Sequence, residues 1–188
     1  MRCVAVLLIG ACGAAPSSPG VDGVLGDDDP MTDTRLLPLA EGRSWSYDVT
    51  STYSSCPSGT HEQRVTGTGS IDGRDTFKIL GFCGLAGETF VDGDLVEDHY
   101  DWGPVGWTRQ LDEPVTIGHA WSTTNGSATF GMHYAAATVA GHDDCIQVVQ
   151  DVSYTSTWTY CRGVGLVTYN MVDLGGGTIH AELRSTSF

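Results

Sequence analysis

The sequence has little positive charge and no long apolar run. Its 188 residues include 9 Lys and Arg against 23 Asp and Glu, which gives a formal net charge of -14. That charge repels phosphate groups, so a basic patch for nucleic acid or anionic lipid is excluded. The longest apolar run, Val4 to Ile9, is far shorter than the roughly 20 residues that a transmembrane helix requires. We therefore expect one acidic domain with no membrane span and no nucleic acid partner.

Familiar catalytic motifs are also absent. The sequence contains no G-x-S-x-G, H-E-x-x-H, S-x-x-K or C-x-x-C pattern, which leaves out the common hydrolase, metalloprotease, lactamase and thiol-redox sites. The histidines are spread singly, and His142, beside two aspartates, is interpreted as part of a polar turn. Carboxylates that could offer oxygens to calcium are concentrated in one stretch, at Asp92, Asp94, Glu97 and Asp98. Because Asp92 and Gly93 also form a turn motif, we predict no metal, no cofactor and no catalytic residue.

The N-terminus has the layout of an export signal. Arg2 precedes the apolar stretch, and the small residues Gly10 and Ala11 come directly before Cys12. The order Ile-Gly-Ala-Cys resembles the bacterial lipobox, in which the cysteine is acylated and becomes the first residue of the mature chain. The resemblance implies a signal peptide at residues 1–11 and a lipid anchor at Cys12. A secretory signal cut elsewhere and a cytosolic start are the alternatives.

The segment that follows, residues 12–34, is rich in Gly, Pro, Ser and Asp and has no apolar periodicity. Such a composition cannot bury enough surface to order the chain, so we expect a disordered acidic tether. Gly13 stands where enterobacterial lipoproteins of the inner membrane carry aspartate. By that resemblance the protein is expected in the bacterial cell envelope, with the outer membrane favoured. Residues 35–188 are expected to form one antiparallel β domain.

Beyond Arg35 the chain alternates apolar and polar residues with period two, and no helical period lasts three turns. This pattern predicts an all-β domain with little or no helix. About eight to ten strands are expected, enough for a single antiparallel meander to form a curved sheet, a half-barrel or a barrel. The residues predicted to be largely buried are Trp45, Tyr47, Val49, Trp121, Phe130, Ile146, Val148, Trp158, Tyr160, Leu166 or Val167, and Ile179.

Two hairpins depend on the length of a glycine-containing turn. A two-residue turn at Asn125-Gly126 places Trp121 opposite Phe130, and such an aromatic pair is of the kind that fixes register.

For the other hairpin, around Gly73, the turn motif leaves two registers. A two-residue turn sets Phe77 opposite Thr68, whereas a three-residue loop sets Phe77 opposite Gly69. We prefer the three-residue loop, because it keeps apolar side chains on one face and lets rings cover backbone exposed by glycine.

The cysteines predict a disulfide framework. If Cys3 leaves with the signal peptide and Cys12 is acylated, four thiols remain, which allow three pairings. A three-residue loop at residues 152–154 places Cys145 directly opposite Cys161, within disulfide reach in a non-hydrogen-bonded strand pair. By elimination Cys56 pairs with Cys83.

Two blocks of sequence carry a resemblance. LLPLAEGRSWSYDV at Leu36–Val49 and YCRGVGLVTYNMV at Tyr160–Val172 resemble the opening and closing blocks of a broad group of uncharacterised bacterial lipoproteins. The resemblance implies an exported, lipid-anchored β-rich domain and no assigned reaction. A weaker, fold-level analogy connects the chain to the half-barrels of lipoprotein-carrier and related lipid-binding proteins, whose concave face holds acyl chains.

Two classes of function remain open. The first is a monomeric binding or interaction domain that contacts the membrane only through its anchor and takes a small molecule, a lipid or an envelope protein as ligand. The second is a hydrolase, for example glycosidase-like, with a site built from dispersed carboxylates. We prefer the first, because the carboxylates lie on turns and polar faces, whereas catalysis requires one in an apolar environment that shifts its pKa. A large apolar cavity would favour a ligand carrier, and a filled core a surface-interaction module.

Overall fold

The computed structural model describes residues 33–99, 106–124, 128–151 and 156–188. These residues form twelve strands and no helix, so the all-β antiparallel prediction is confirmed and the number of strands is larger than expected. Three of the strands, β5 to β7, have only 5 residues each, too few alternating positions to be recognised singly. The bounds are β1 Ser44–Ser51, β2 Gly59–Ile71, β3 Arg74–Leu80, β4 Ala86–Asp92, β5 Leu95–His99, β6 Trp107–Leu111, β7 Ala120–Thr124, β8 Thr129–Ala136, β9 Cys145–Asp151, β10 Ser156–Cys161, β11 Gly165–Val172 and β12 Thr178–Thr186.

One sheet contains all twelve strands and curls until it is nearly closed into a barrel. Its order is β6-β5-β4-β3-β2-β1-β12-β11-β10-β9-β8-β7, so the first and last strands pair in the middle and β6 and β7 are the two edges. Side chains join these edges: Arg109 donates its backbone N–H to Thr123 Oγ1 at 2.6 Å, and Thr108 Oγ1 donates to the Thr124 carbonyl at 2.9 Å. Between β6 and β7 these side-chain hydrogen bonds replace the backbone hydrogen bonds that join the other consecutive strands.

The β2–β3 hairpin has a two-residue turn, so the preferred three-residue loop was wrong. Asp72 and Gly73 both have positive φ, 52° and 77°, as a tight hairpin turn requires, and Phe77 lies opposite Thr68. A bulge directly after Val65 then shifts the pairing by one residue. The bulge, and not a longer turn, places Val65 opposite Ile79.

The β7–β8 hairpin also differs from its prediction. Trp121 lies opposite Met132 and not opposite Phe130. The connection spans residues 125–128, which is longer than the two-residue turn expected at Asn-Gly, and that pair lies outside the described residues. Because side chains alternate with period two, the shift from position 130 to position 132 preserves the face, and both Trp121 and Phe130 are buried.

Both disulfides are present with the predicted pairing. Cys145 lies opposite Cys161 in the β9–β10 hairpin, and their Cα atoms are 4.1 Å apart. Cys56 is bonded to Cys83, with Cα atoms 4.9 Å apart. The first bond staples a hairpin, whereas the second ties the β1–β2 connection to the β3–β4 connection.

Most of the residues predicted to be buried are buried, with two exceptions. Trp158 and Ile179 are only partly buried, because they face a cavity inside the barrel and not a packed layer. Leu166 and Val167, which the pattern offered as alternatives, are both buried, since the β10–β11 pairing carries a bulge at this point. The predicted residues that are buried are Trp45, Tyr47, Val49, Trp121, Phe130, Ile146, Val148, Tyr160, Leu166 and Val167.

A short segment before β1 folds into one end of the barrel. Leu36, Leu37 and Leu39 are buried there, and the Trp45 indole N–H donates to the Val164 carbonyl at 2.6 Å. A Cβ at Gly165, which has φ +99°, would lie 2.9 Å from that indole nitrogen, so the close approach requires glycine. We call this the closed end, and the opposite end, with the β1–β2, β3–β4 and β11–β12 connections, the open end.

An ionic cluster completes the closed end. Asp33, near the end of the expected tether, is buried and accepts hydrogen bonds from Arg35 Nη2 and Arg43 Nη1, each at 2.8 Å. Burial by itself raises the pKa of Asp33, but the hydrogen bonds from the two arginines outweigh it and hold the pKa below its ordinary value of 3.8. The Arg43 guanidinium also lies 4.7 Å from the centre of the Phe188 ring. The packed structure therefore includes Asp33.

Candidate functional site

A cavity of about 560 Å³ lies inside the barrel between the closed end and the open end. Its lining is mainly apolar and aromatic and comes from eight strands, the segment before β1 and two connections of the open end. Strands β7, β8 and β9 contribute no lining residue, so the cavity occupies one side of the barrel. The lining residues are Leu37, Leu39, Tyr53, Ser55, Cys56, Gln63, Ile79, Gly81, Phe82, Cys83, Leu85, Gly87, Thr89, Val96, Asp98, Gln110, Trp158, Tyr160, Leu166, Tyr169, Met171 and Ile179.

Aromatic rings form one wall of the cavity. Trp158 of β10 and Tyr169 of β11 are cross-strand neighbours whose rings stack at 5.4 Å with an interplanar angle of 27°. Phe82, from the β3–β4 connection, lies 5.9 Å from Tyr169 and 5.3 Å from Tyr47. A flat, partly exposed aromatic wall of this kind suits an apolar ligand.

The cavity opens at the end that carries the β1–β2 and β3–β4 connections. Two of its lining residues in these connections, Ser55 and Leu85, are exposed, the latter at 52%. The Cys56–Cys83 disulfide ties the two connections together, and both cysteines line the cavity. Beside it the β3–β4 connection is closed on itself, because Gly81 donates its N–H to the Leu85 carbonyl at 2.8 Å. The connections around the opening, which we call the rim, are therefore cross-linked by a disulfide.

A second fastening at the open end joins the β1–β2 and β11–β12 connections. The Tyr53 hydroxyl donates to Asp173 Oδ2, and the other carboxylate oxygen accepts the Gly177 N–H at 2.7 Å. The hydrogen bond from Tyr53 lowers the pKa of Asp173, and the same bond raises the pKa of Tyr53. A Cβ at Gly177 would lie 2.5 Å from the Tyr53 oxygen, so only glycine leaves room for the ring.

One carboxylate faces the cavity. Asp98 of β5 is half-buried, and its Oδ1 accepts a hydrogen bond from Thr89 Oγ1 at 2.6 Å. Burial raises the pKa of Tyr160 well above its usual range, and the nearby Asp98 charge raises it further. Gln63 and Gln110 add polar carboxamide groups to the lining. The cavity thus combines an apolar body with a few polar groups, as small-molecule sites do.

The four carboxylates considered for calcium do not converge. Asp92 is exposed beside a turn, and Asp94 binds Arg162 at the closed end at 2.8 Å. Glu97 lies on the outer face, where it pairs with Arg74 and Arg109, whereas Asp98 lines the cavity, as described above. Within the described residues, no group of three or more acidic, histidine or cysteine side chains is placed to hold a metal ion. Gly93 has a positive φ of 61°, which agrees with the turn expected from the Asp92-Gly93 motif.

The predicted site residues divide into those that the structure places and one that it does not. Cys12, the expected lipid anchor, lies outside the described residues. Cys145 and Cys161 lie at the closed end, away from the cavity, whereas Cys56 and Cys83 lie on its rim. Sequence analysis predicted the Cys56–Cys83 bond but not its position beside the cavity. It considered Asp98 only as a possible calcium ligand and missed its place in the cavity, because Asp98 is one acidic residue among several in an acidic stretch.

Comparisons with other proteins add little. The sequence matches no protein-family model and none of the curated proteins. A solved structure described as a "putative lipoprotein" from Parabacteroides distasonis ATCC 8503 aligns over 82% of this chain and 99% of its own, with a TM-score of 0.39 and 9% identity. At that TM-score the similarity is too low to support a conclusion about fold or function. Among the described residues there is also no helix with the length and hydropathy that crossing a membrane requires.

Proposed function

We propose that the domain binds an apolar or amphipathic small molecule inside the barrel. The observation that carries this proposal is the cavity of about 560 Å³ with an apolar, aromatic lining and one open end. Protein interiors pack as densely as organic crystals and leave few voids larger than a water molecule. Ligand sites, by contrast, are hollows of about 300 to 1,000 Å³ with a few polar groups among apolar ones.

The lining also accounts for residues that a purely structural barrel would bury. Trp158, Ile179 and Met171 occupy inward-facing strand positions and yet keep part of their surface accessible. A ligand that covers them would remove apolar area from water at about 25 cal/mol per Å². The favourable free energy of that burial is what drives binding, less the cost of ordering the ligand.

Filling the cavity tests the proposal. Met171→Trp would place a large ring in the cavity, whereas Val172→Trp adds the same ring at the next position, which is 47% exposed. We expect the neutral fluorescent probe N-phenyl-1-naphthylamine to bind the parent and Val172→Trp equally and Met171→Trp at least about tenfold more weakly. Equal binding by all three proteins, or no binding by the parent, would contradict the proposal.

We further propose that the protein is a lipid-anchored component of the bacterial envelope, with the outer membrane favoured. The lipobox-like Ile-Gly-Ala-Cys order before a Gly/Pro/Ser/Asp segment supports this. Cys12→Ser should release the protein from membrane fractions, since its only predicted attachment is the acylated cysteine. Membrane partitioning of Cys12→Ser equal to that of the parent would sink the anchoring proposal.

The hydrolase alternative receives no support from the cavity. Glycosidases of the usual kind place two carboxyl groups about 5 to 10 Å apart on either side of the scissile bond. In the described lining Asp98 is the one acidic residue. The nearby Glu97 points to the outer face and is held by Arg74 and Arg109. We therefore propose a binding domain and no reaction.

A further inference from the structure

The charge inside the cavity is of one sign. Of the described lining residues only Asp98 has a charged side chain, and none is Lys, Arg or His. The remaining polar groups, on Gln63, Gln110 and Thr89 among others, are neutral. In a poorly solvated site a single charge acts strongly on whatever enters, because less water screens it than at the surface.

This charge distribution discriminates among amphiphiles with the same apolar body. A ligand carboxylate or phosphate would meet a like charge, and the described part of the lining contains no cation to offset the repulsion. An ammonium group would gain a charge-assisted hydrogen bond from its N–H to the Asp98 carboxylate. A carboxylate has about four acceptor sites on its two oxygens, so Asp98 can accept from a ligand donor in addition to the partners that it already has, Thr89 Oγ1 among them.

Aromatic rings of the lining favour the same head group. Tyr160 and the stacked pair Trp158 and Tyr169 line the same cavity as Asp98. The faces of such rings attract cations and also pack well against hydrocarbon. A cavity that combines one carboxylate with aromatic faces is therefore complementary to a cationic nitrogen joined to an apolar chain.

We infer that the cavity selects amphiphiles with a cationic amine head, seated at Asp98, and an apolar body along the Trp158–Tyr169 wall. This inference rests on the proposed function, since it requires that the cavity takes up a ligand. It adds the chemical class of that ligand, which apolar lining by itself does not specify.

The test compares three probes with the same chain, namely dodecylamine, dodecanol and dodecanoate. Each displaces N-phenyl-1-naphthylamine from the parent protein at physiological salt, where the Debye length of about 8 Å screens the distant surface charges. We expect dodecylamine to bind at least about tenfold more tightly than dodecanol, and dodecanoate to bind more weakly than both. If dodecanol binds and dodecylamine binds no more tightly, the charge selectivity is refuted and the proposed function stands. If N-phenyl-1-naphthylamine binds and none of the three amphiphiles displaces it, this inference fails and the proposed function stands. If the dye itself does not bind, both fail.

Two variants with the same change in net charge locate the selectivity. Asp98→Asn should abolish the preference for the amine and leave dodecanol binding within about twofold of the parent. Glu182→Gln, at an exposed outward position of β12, should keep the preference. A preference that survives in Asp98→Asn, or that falls equally in both variants, would assign it to the overall charge of -14 and overturn the role of Asp98. Should Asp98→Asn fail to fold, the comparison of probes on the parent decides alone.

Discussion

The two ends of the barrel use similar fastenings for different purposes. At the closed end, Leu36, Leu39 and Trp45 are fully buried, and an arginine–aspartate cluster seals the packed layer. At the open end the connections are tied by a disulfide and by the Tyr53–Asp173 hydrogen bond, but the space between them is hollow. Stability is therefore concentrated at one end, and the other end keeps a rim of fixed shape around accessible apolar surface.

This division explains how a barrel of twelve strands maintains a cavity without collapsing. The closed end supplies the dense packing that holds the strands in register, so the strands of the opposite end need not meet across the interior. A rim that is tied on two sides keeps its shape in the absence of ligand, which lowers the ordering cost of binding. The difference between the ends can be tested by paired substitutions.

The largest expected difference is between two tryptophans. Trp45→Ala removes a fully buried ring and its hydrogen bond to Val164, and should lower the free energy of unfolding by about 3 to 5 kcal/mol. Trp158→Ala should cost only about 1 to 2 kcal/mol, because this ring is partly exposed and its removal enlarges an existing cavity. Urea unfolding with both disulfides intact measures each value. Equal losses would mean that the cavity wall is as tightly packed as the closed end.

Removing each disulfide should separate stability from binding. Cys145→Ser/Cys161→Ser and Cys56→Ser/Cys83→Ser should each lower stability by about 3 kcal/mol, since both bonds close loops of similar size. Only the loss of the Cys56–Cys83 bond should also weaken binding of N-phenyl-1-naphthylamine, because these two cysteines line the cavity. Probe titrations of the two double variants under folded conditions make the comparison. A matching loss of affinity in both would show that the rim has no separate role.

The smallest expected effect concerns acid stability. Because the folded-state pKa of Asp33 is lowered, its contribution is present above the ordinary pKa of 3.8 and is lost as the pH falls through the folded value. At neutral pH, Asp33→Asn should cost about 2 kcal/mol, since hydrogen bonds between charged groups contribute about that much, and the variant should lose less stability on acidification than the parent.

The matched control for Asp33 is at the open end. The pKa of Asp173 is also lowered, chiefly by the Tyr53 hydrogen bond, but this group is only partly buried at the open end, where solvent screens it. Asp173→Asn should therefore leave the acid limb of a stability–pH profile close to that of the parent. A flattened acid limb in Asp173→Asn and not in Asp33→Asn would reverse the assigned roles of the two ends.

Sequence analysis predicted local features of this fold better than distant ones. The Cys145–Cys161 register followed from the apolar face that Ile146 and Tyr160 share across one hairpin, and these contacts are near in sequence. The sequence contains no comparable pattern that predicts the bulge after Val65. Without the bulge, the three-residue loop at Gly73 was preferred because it keeps apolar side chains on one face. Turn motifs therefore fix register only where no bulge intervenes.

The cavity was beyond prediction for a physical reason. Trp45 and Trp158 occupy equivalent inward positions in an alternating strand, and only the number and curvature of all twelve strands decide whether an opposite wall is within reach. The same holds for Asp98, which sits in an acidic stretch whose members point to the closed end, the outer face and the cavity. Glu97 and Asp98 separate because neighbouring residues of a strand point to opposite faces, whereas Asp94 lies in the β4–β5 turn.

The pairing of β1 with β12 has a mechanical consequence. Trp45 lies opposite Thr186, so the segment leading into β1 and the residues after β12 leave the barrel side by side at the closed end. Hydrogen bonds between antiparallel strands run perpendicular to the strands, and a force pulling residues 33 and 188 apart would act along these bonds. It would break them one pair at a time, as in unzipping, starting from the ring contact between Trp45 and Phe188. Tension applied between the β1–β2 and β3–β4 connections would instead load the covalent Cys56–Cys83 bond. The Cys145–Cys161 bond at the closed end lies within the β9–β10 hairpin, so it does not resist the separation of β1 from β12.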